Sequence, residues 1–222
     1  TLACGLTLAG AGAAGLLQHA TTKVAAVAAP NVGALPTTAP AAGRAAGRDP
    51  GKPPADAPAP DRHAPPVRLR IPRIGVDTAV TDVQVESDGH LAAPATPEAV
   101  GWWSNGPAPG GAGNAILVGH VDSLTGPAVF AGLSELRPGD SIEVAEADGA
   151  TVTFAVQALR GFTKDDFPDD LVYGPSAVPG LRLITCGGAY DRDAHAYLSN
   201  LVVFAAPAGP SPSASSPQRS AT

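Results

Sequence analysis

The sequence has no methionine, only two cysteines, few aromatic residues (5%) and no excess of positive charge. Each shortage excludes something. Without methionine, even at position 1, the chain reads as processed or trimmed. Two cysteines cannot build a disulfide framework or a cysteine-rich zinc site. With 14 Lys and Arg against 20 Asp and Glu, the net charge of −6 argues against nucleic-acid binding, which needs clustered cations. No glycine-rich phosphate loop and no zinc-like Cys/His cluster is present, no internal repeat appears, and no cofactor is called for. What is abundant is Gly (26) and Pro (24), and with Ala they gather outside the middle of the chain.

The ends therefore differ from the middle. Residues 1–17, TLACGLTLAGAGAAGLL, carry no charge, and Lys23 is the first full charge. A spanning helix needs about 20 apolar residues, with ~17 as the short limit. Residues 1–19 read first as a membrane anchor. The second reading is a cleavable signal peptide ending near Ala26-Val27-Ala28, and the third is a buried helix. The first two place the rest of the chain outside the cytoplasm, anchored to the membrane or secreted. Residues 20–66 are an Ala/Pro-rich linker, expected to be disordered because such a composition buries too little surface to offset its ordering entropy. A flexible coil of that length spans roughly 40 Å. Residues 207–222 are a second low-complexity tail.

Residues 67–206 read as the folded domain. VRLRI (67–71) alternates apolar and basic residues, as a half-buried strand does, and VTDVQV (80–85) continues the pattern. NAILVGH (114–120) is a short apolar run after a glycine-rich loop. SIEVA (141–145) and TVTFAVQ (151–157) flank Asp148-Gly149, a strong hairpin signal. VFAGLSEL (129–136) and DDFPDDLV (165–172) suggest short helices. LRLITC (181–186) and YLSNLVVF (197–204) are the last two strands. About eight short strands with few helices predict a mainly β fold, a barrel or a sandwich.

Cys4 lies in the apolar first segment, which leaves Cys186 without a disulfide partner. An unpaired cysteine in an exported chain points to a reactive thiol. A cysteine nucleophile needs a base and a group to stabilise an oxyanion. Of five histidines, His19 and His63 lie in the first segment and linker, His90 follows a turn glycine, and His195 sits in a loop. His120 alone closes an apolar strand, as Cys186 closes another. Residues at strand ends enter the loops where sites are built. The alternatives are a buried structural cysteine, since free cysteine packs as a small hydrophobe, and a satisfied structural histidine. Gly187 and Gly188 are either turn residues or room for a substrate backbone beside the sulfur.

LITCGG behind Arg182, with GHVDS (119–123) about 65 residues earlier, resembles the sortase family. The resemblance to the actinobacterial class F group extends over GWWSNGPAPGGAGNAILVGHVDS, GPAVFAGLSELRPGD, the Asp-Gly hairpin, FTKDDFPDDLVYG and the last two strands. It implies an eight-stranded β-barrel and a cysteine transpeptidase. Such an enzyme cleaves a C-terminal sorting signal of exported proteins, similar to Leu-Pro-X-Thr-Gly, at the Thr–Gly bond. It then passes the acyl group to an amine of the cell wall. Cys186 would be the nucleophile and His120 the acid and base.

The third catalytic member is where this chain departs from the family. An arginine is expected on the final strand, but the matching stretch reads Tyr197-Leu-Ser-Asn200. Arg192 is the first candidate, in the loop expected to pass the thiol. Arg182 is the second, since positions 182, 184 and 186 share a strand face; the groove is also expected to draw on Thr185, Gly187 and Asn200. Asp122 is read as a partner that orients His120 or as a loop cap. Trp102 and Trp103 either pack the core or wall the groove. The aspartates at 165, 166, 169 and 170 are read as helix N-terminal charges rather than a calcium site, so no metal ligand is assigned. Two rival readings are a β-rich L,D-transpeptidase, which lacks its Ser-His-Gly-Cys pattern here, and a non-catalytic surface-binding domain.

Overall fold

A computed structural model describes residues 30–36, 63–87 and 91–209. The strands in chain order are β1 (Val32–Gly33), β2 (Pro66–Ile71), β3 (Val76–Val83), β4 (Val100–Trp103), β5 (Gly113–Val118) and the two-residue β6 (Asp122–Ser123) and β7 (Gly126–Pro127). After them come β8 (Ser141–Glu146), β9 (Thr151–Thr163), β10 (Pro179–Asp191) and β11 (Ala196–Pro207), with one short α-helix, α1 (Asp169–Val172), before β10. The main sheet runs β1-β9-β11-β10-β5-β4-β3-β2-β8, and a further β8–β9 pairing closes strands two to nine of that order into an eight-stranded barrel. β6 and β7 pair only with each other.

The β8–β9 hairpin forms where its turn chemistry predicts. Gly149 has φ +90°, a region glycine enters at no steric cost, and the Ala150 N–H donates to Asp148 Oδ1 at 2.9 Å. The two expected helices shrink to one 3₁₀ turn (Leu133–Glu135) and to a 3₁₀ turn (Lys164–Asp166) followed by α1. β4 has no forecast in the sequence. It is a four-residue strand that lies parallel to β3 and antiparallel to β5.

Alternation sets the core. Leu69, Ile71, Ile142, Val144, Phe154, Leu181, Leu183 and Val203 fill the barrel, fully buried. The opposite face of β5, β10 and β11 is covered as well, and Ile116, Ile184, Val202 and Phe204 pack under Val172 of α1 and under Phe162 and Phe167. Strands buried on both faces read as continuous apolar runs, which is why NAILV and LRLIT show no alternation. Each large apolar side chain so buried contributes about 1.5–3 kcal/mol.

Two stretches of the expected linker are structured: residues 63–66 lead into and begin β2, and residues 30–36 lie on the barrel. Val32 and Gly33 pair with Leu159 and Ala158 on the outer edge of β9. The Arg160 guanidinium donates to both of their carbonyls, at 2.6 Å each. A Cβ on Gly33, whose φ is +80°, would lie 2.0 Å from the Gln157 carbonyl oxygen, so only glycine fits. Composition alone cannot forecast this, because the docking depends on two carbonyls and a glycine rather than on apolar bulk. Among the described residues no helix is long and apolar enough to cross a membrane. The expected anchor at 1–19, His19, Cys4, His90 and the tail from 210 lie outside the described residues.

Candidate active site

Two strand ends build the site. β5 and β10 run parallel, with Val118 level with Ile184. Two residues further on, His120 and Cys186 leave neighbouring backbones, which in a sheet run about 4.8 Å apart. The ends are tied to each other. The Gly119 N–H donates to the Ile184 carbonyl at 3.2 Å, and the buried Thr185 hydroxyl donates to the Gly119 carbonyl at 2.8 Å. Gly119 is required here, since a Cβ would meet the Phe130 ring at 2.7 Å. The Phe130 N–H donates in turn to the His120 carbonyl at 2.9 Å.

Cys186 is a free, partly exposed thiol. His120 is also partly exposed, and its Nε2 lies 2.9 Å from the Pro94 carbonyl oxygen. A carbonyl only accepts, so Nε2 carries the proton and Nδ1 is the free acceptor of the neutral ring. The carbonyl thus fixes the tautomer, the duty the sequence reading offered to Asp122. The Asp122 carboxylate instead accepts a short hydrogen bond from the Tyr197 hydroxyl.

That bond, together with burial and the neighbouring charges of Asp122, Cys186 and Tyr190, pushes the Tyr197 phenol up to about 12. Tyr197 also packs edge-on against Tyr190, with ring centroids 5.1 Å apart. Tyr197 and Tyr190 are the site neighbours that sequence reasoning missed. Their only signal is position, at paired places on the two arms of the β10–β11 hairpin.

Asn200 lies directly opposite Cys186 in the β10–β11 ladder. It lines a cleft of about 620 Å³ whose walls include Val85, Leu91, Trp103, Phe167 and Tyr173. Trp102 is buried in the barrel core, so the two tryptophans divide the duties left open between them. The two glycines after the thiol differ. Gly188 has φ +76°, and a Cβ there would lie 2.8 Å from Ser199 Oγ. At Gly187 a Cβ would make only ordinary contacts, at 3.6 Å, so the fold does not demand glycine there.

The two arginines part company. Arg192 sits in the exposed turn at the tip of the β10–β11 hairpin, where the Asp191 carboxylate accepts from the Asp193 and Ala194 N–H groups. Arg182 is buried four positions before the thiol, its guanidinium stacked over Phe204. Leu198, where the family resemblance expects an arginine, is half exposed. His195 stands in the hairpin turn with φ +50°. His63 is tied away from the site, its Nδ1 3.0 Å from the buried Glu146 carboxylate. Among the described residues no group of three or more His, Cys, Asp or Glu could hold a metal ion.

The closed eight-stranded barrel thus carries a free thiol and an imidazole at neighbouring parallel strand ends. The Sortase domain family model matches residues 69–208, and the chain belongs to the sortase family. It is a sortase-type enzyme.

The fold is similar to sortase C-1 from Actinomyces oris, at 23% identity and TM-score 0.51 over 65% of this chain and 74% of that one. It is also similar to a lid mutant of sortase A from Corynebacterium diphtheriae, at 18% identity and TM-score 0.52 over 68% and 74%. A lid mutant of Streptococcus agalactiae sortase C1 gives 18% identity and TM-score 0.50 over 66% and 71%. No curated protein matches the sequence.

Proposed function

We propose that the chain is a class F sortase acting outside the cytoplasm. In this reading it is held to the membrane by its first segment and joins proteins bearing a Leu-Pro-X-Thr-Gly-like signal to a cell-wall amine. The carrying observation is the Thr185–Gly119 bond, which locks the Cys186 and His120 backbones level on adjacent strands.

The chemistry follows from that placement. The Cys186 thiolate attacks the Thr carbonyl of the signal, and the carbonyl π pair moves onto oxygen. Collapse of this intermediate breaks the Thr–Gly C–N bond, and the imidazolium of His120 gives its proton to the departing amine. A thioester on Cys186 remains. An incoming amine then attacks it and gives up a proton to His120, and the sulfur leaves as thiolate. The Pro94 carbonyl accepts from Nε2 throughout, which leaves the Nδ1 side to exchange the proton.

Arg192 is the cation we assign to the oxyanion, because it is exposed and has no hydrogen-bond or ion-pair partner among the described residues. It stands six residues beyond Cys186, about 20 Å along the extended hairpin at ~3.3 Å per residue, so this role requires the hairpin tip to bend over the thiol when substrate binds. Asn200 and the mixed cleft beside it, which Lys164 and Asp169 also line, receive the signal, with its leucine and proline against Leu91, Trp103 and Phe167. Thr185 and Asp122 act by position, and Gly187 leaves space for the substrate backbone.

The test is incubation with a sorting-signal peptide and a small amine, followed by mass spectrometry. Cleavage at Thr–Gly with an amide product, lost in Cys186→Ala, supports the reading. A wild-type chain that leaves the peptide whole points to a non-catalytic surface domain instead.

A further inference from the structure

Arg182 stands on the same strand face as Cys186 but four residues before it, about 13 Å away at ~3.3 Å per residue. It is 5% exposed. The Phe204 ring lies under the guanidinium, 4.7 Å from its carbon, and one N–H of NH1 goes to the Leu181 carbonyl at 3.1 Å. The Nε–H is buried with no acceptor. Among the described residues no carboxylate pairs with this group. Burial holds its pKa down to about 10, so it stays charged at neutral pH. A buried cation with neither counter-charge nor full hydrogen bonding is costly, and removing water from it without a partner is the expensive arrangement.

The space beside it is shaped. Arg182 lines a cavity of about 260 Å³, whose walls include Asn114, Gly180, Asp170, Ser176 and Pro36. That is just below the ~300 Å³ at which ordinary small-ligand pockets begin. Asn114 is turned outward by its own bond, Nδ2 donating to the Gly174 carbonyl at 3.0 Å. Gly180 keeps the wall open, since a Cβ there would lie 2.4 Å from Asn114 Oδ1 and 3.0 Å from Arg182 NH1. Pro36 closes one side, brought there by the strap that Arg160 holds on β9. Asp170 is exposed at the rim and makes no ion pair with Arg182.

We propose that this cavity binds a single carboxylate group on the free edge of the Arg182 guanidinium, as a site separate from the Cys186 cleft. One face of the guanidinium is taken by Phe204 and one N–H by Leu181. The Nε–H, sealed and without an acceptor, and the NH2 group beside it are what remain; a carboxylate that enters the cavity and displaces the seal over Nε meets both with its two oxygens. Asp170 at the rim disfavours a multiply charged anion. The carboxylate belongs either to a small free acid or to the C-terminus of a peptide.

The experiment is an NMR titration of the full 222-residue chain, following the Arg182 Nε–H and the Gly180 amide. Sodium acetate is compared with sodium chloride at matched ionic strength. N-acetylglycylalanine is compared with its amide. The expected result is a saturable shift of both signals with acetate and none with chloride. Read on the Gly180 amide, it disappears in Arg182→Met and weakens at least several-fold in Arg182→Lys; in Asp170→Asn it is kept or strengthened on both signals. If Arg182→Met does not fold, Arg182→Lys carries the comparison. Tighter binding of the peptide acid than of acetate assigns a chain terminus, and equal binding assigns a small acid.

Shifts that grow linearly and equally with either salt overturn the proposal. So does an Nε–H signal that moves in Asp170→Asn with no acetate present, because Asp170 is then the counter-ion. The readout is binding, so it stands or falls apart from any acylation at Cys186.

Discussion

The Tyr197 hydroxyl donates to the Asp122 carboxylate and so ties β11 to the loop that carries His120. The thiol strand β10 pairs with β11 on one side and with β5 on the other. The bond therefore closes a ring of contacts around the cleft: β5 to β10 through Thr185, β10 to β11 through the ladder, and β11 back to the β5 loop through Tyr197. Its consequence is a phenol that titrates late. The folded value of about 12 lies above the ordinary ~10 of a free phenol, so the bond contributes fully below pH ~10 and is lost as pH rises through about 12. Ultraviolet titration of the tyrosines should show two phenols raised above the ordinary value, Tyr173 through its burial and Tyr197 as the latest, and Asp122→Asn should return only the latest one toward ~10. A latest phenol that Asp122→Asn leaves unmoved would remove the bond from the account.

Thr185 is buried, and its hydroxyl is the one side-chain link between the ends of β5 and β10 among the described residues. Thr185→Val keeps the shape and leaves the Gly119 carbonyl without its donor. The expected cost is about 1–3 kcal/mol of stability by denaturant unfolding. Thr185→Ser should recover most of it. Acyl transfer should fall further than stability explains at temperatures where the variant stays folded, since reacting groups misplaced by ~1 Å lose about a hundredfold in rate.

Much of this fold was legible because local chemistry and tertiary structure agree. The Asp148-Gly149 turn, the apolar runs of β5 and β10 and the β-rich pattern each follow from a short-range rule. The approach of Cys186 and His120 was legible only as a guess about strand ends, because parallel register is set by the whole sheet. β4 was illegible, since four residues with a glycine and two tryptophans carry no period. The strap at Val32 and Gly33 was hidden in a composition that reads as linker, for its anchor is a distant guanidinium. Arg182 was read as facing the groove, and strand parity did place it on the thiol's face. What parity cannot tell is that α1 and the segment up to β10 cover that face, burying the guanidinium in its own cavity.

The glycines after the thiol make opposite predictions. Gly188→Ala forces an L residue to φ +76° and drives its Cβ into Ser199, so a loss of about 1–2 kcal/mol is expected in thermal or chemical unfolding. Gly187→Ala meets only contacts at 3.6 Å, so unfolding should be near wild type. Peptide cleavage should nonetheless drop, because the added methyl group stands where a substrate backbone passes the sulfur. Wild-type cleavage by Gly187→Ala would show that the substrate approaches from another side.

Arg192 tests whether a cation on a hairpin tip can replace one fixed in a strand. Its turn is braced by the Asp191 carboxylate, which is held below the ordinary carboxylate range by the Ala194 and Asp193 N–H groups. The bracing is therefore present at neutral pH and fades only as pH falls through that lowered value. Arg192→Ala should lower the rate of thioester formation by about a hundredfold, the scale for removing one oxyanion donor, with unfolding unchanged because the side chain is exposed. Arg192→Lys should recover part of the rate, since it keeps the charge without the planar fork. Leu198→Arg puts the cation back where the family resemblance expects it, and it should rescue Arg192→Ala. If Arg192→Ala acylates at the wild-type rate, the oxyanion is met by neutral donors, and Asn200, facing Cys186 across the ladder, becomes the next residue to change.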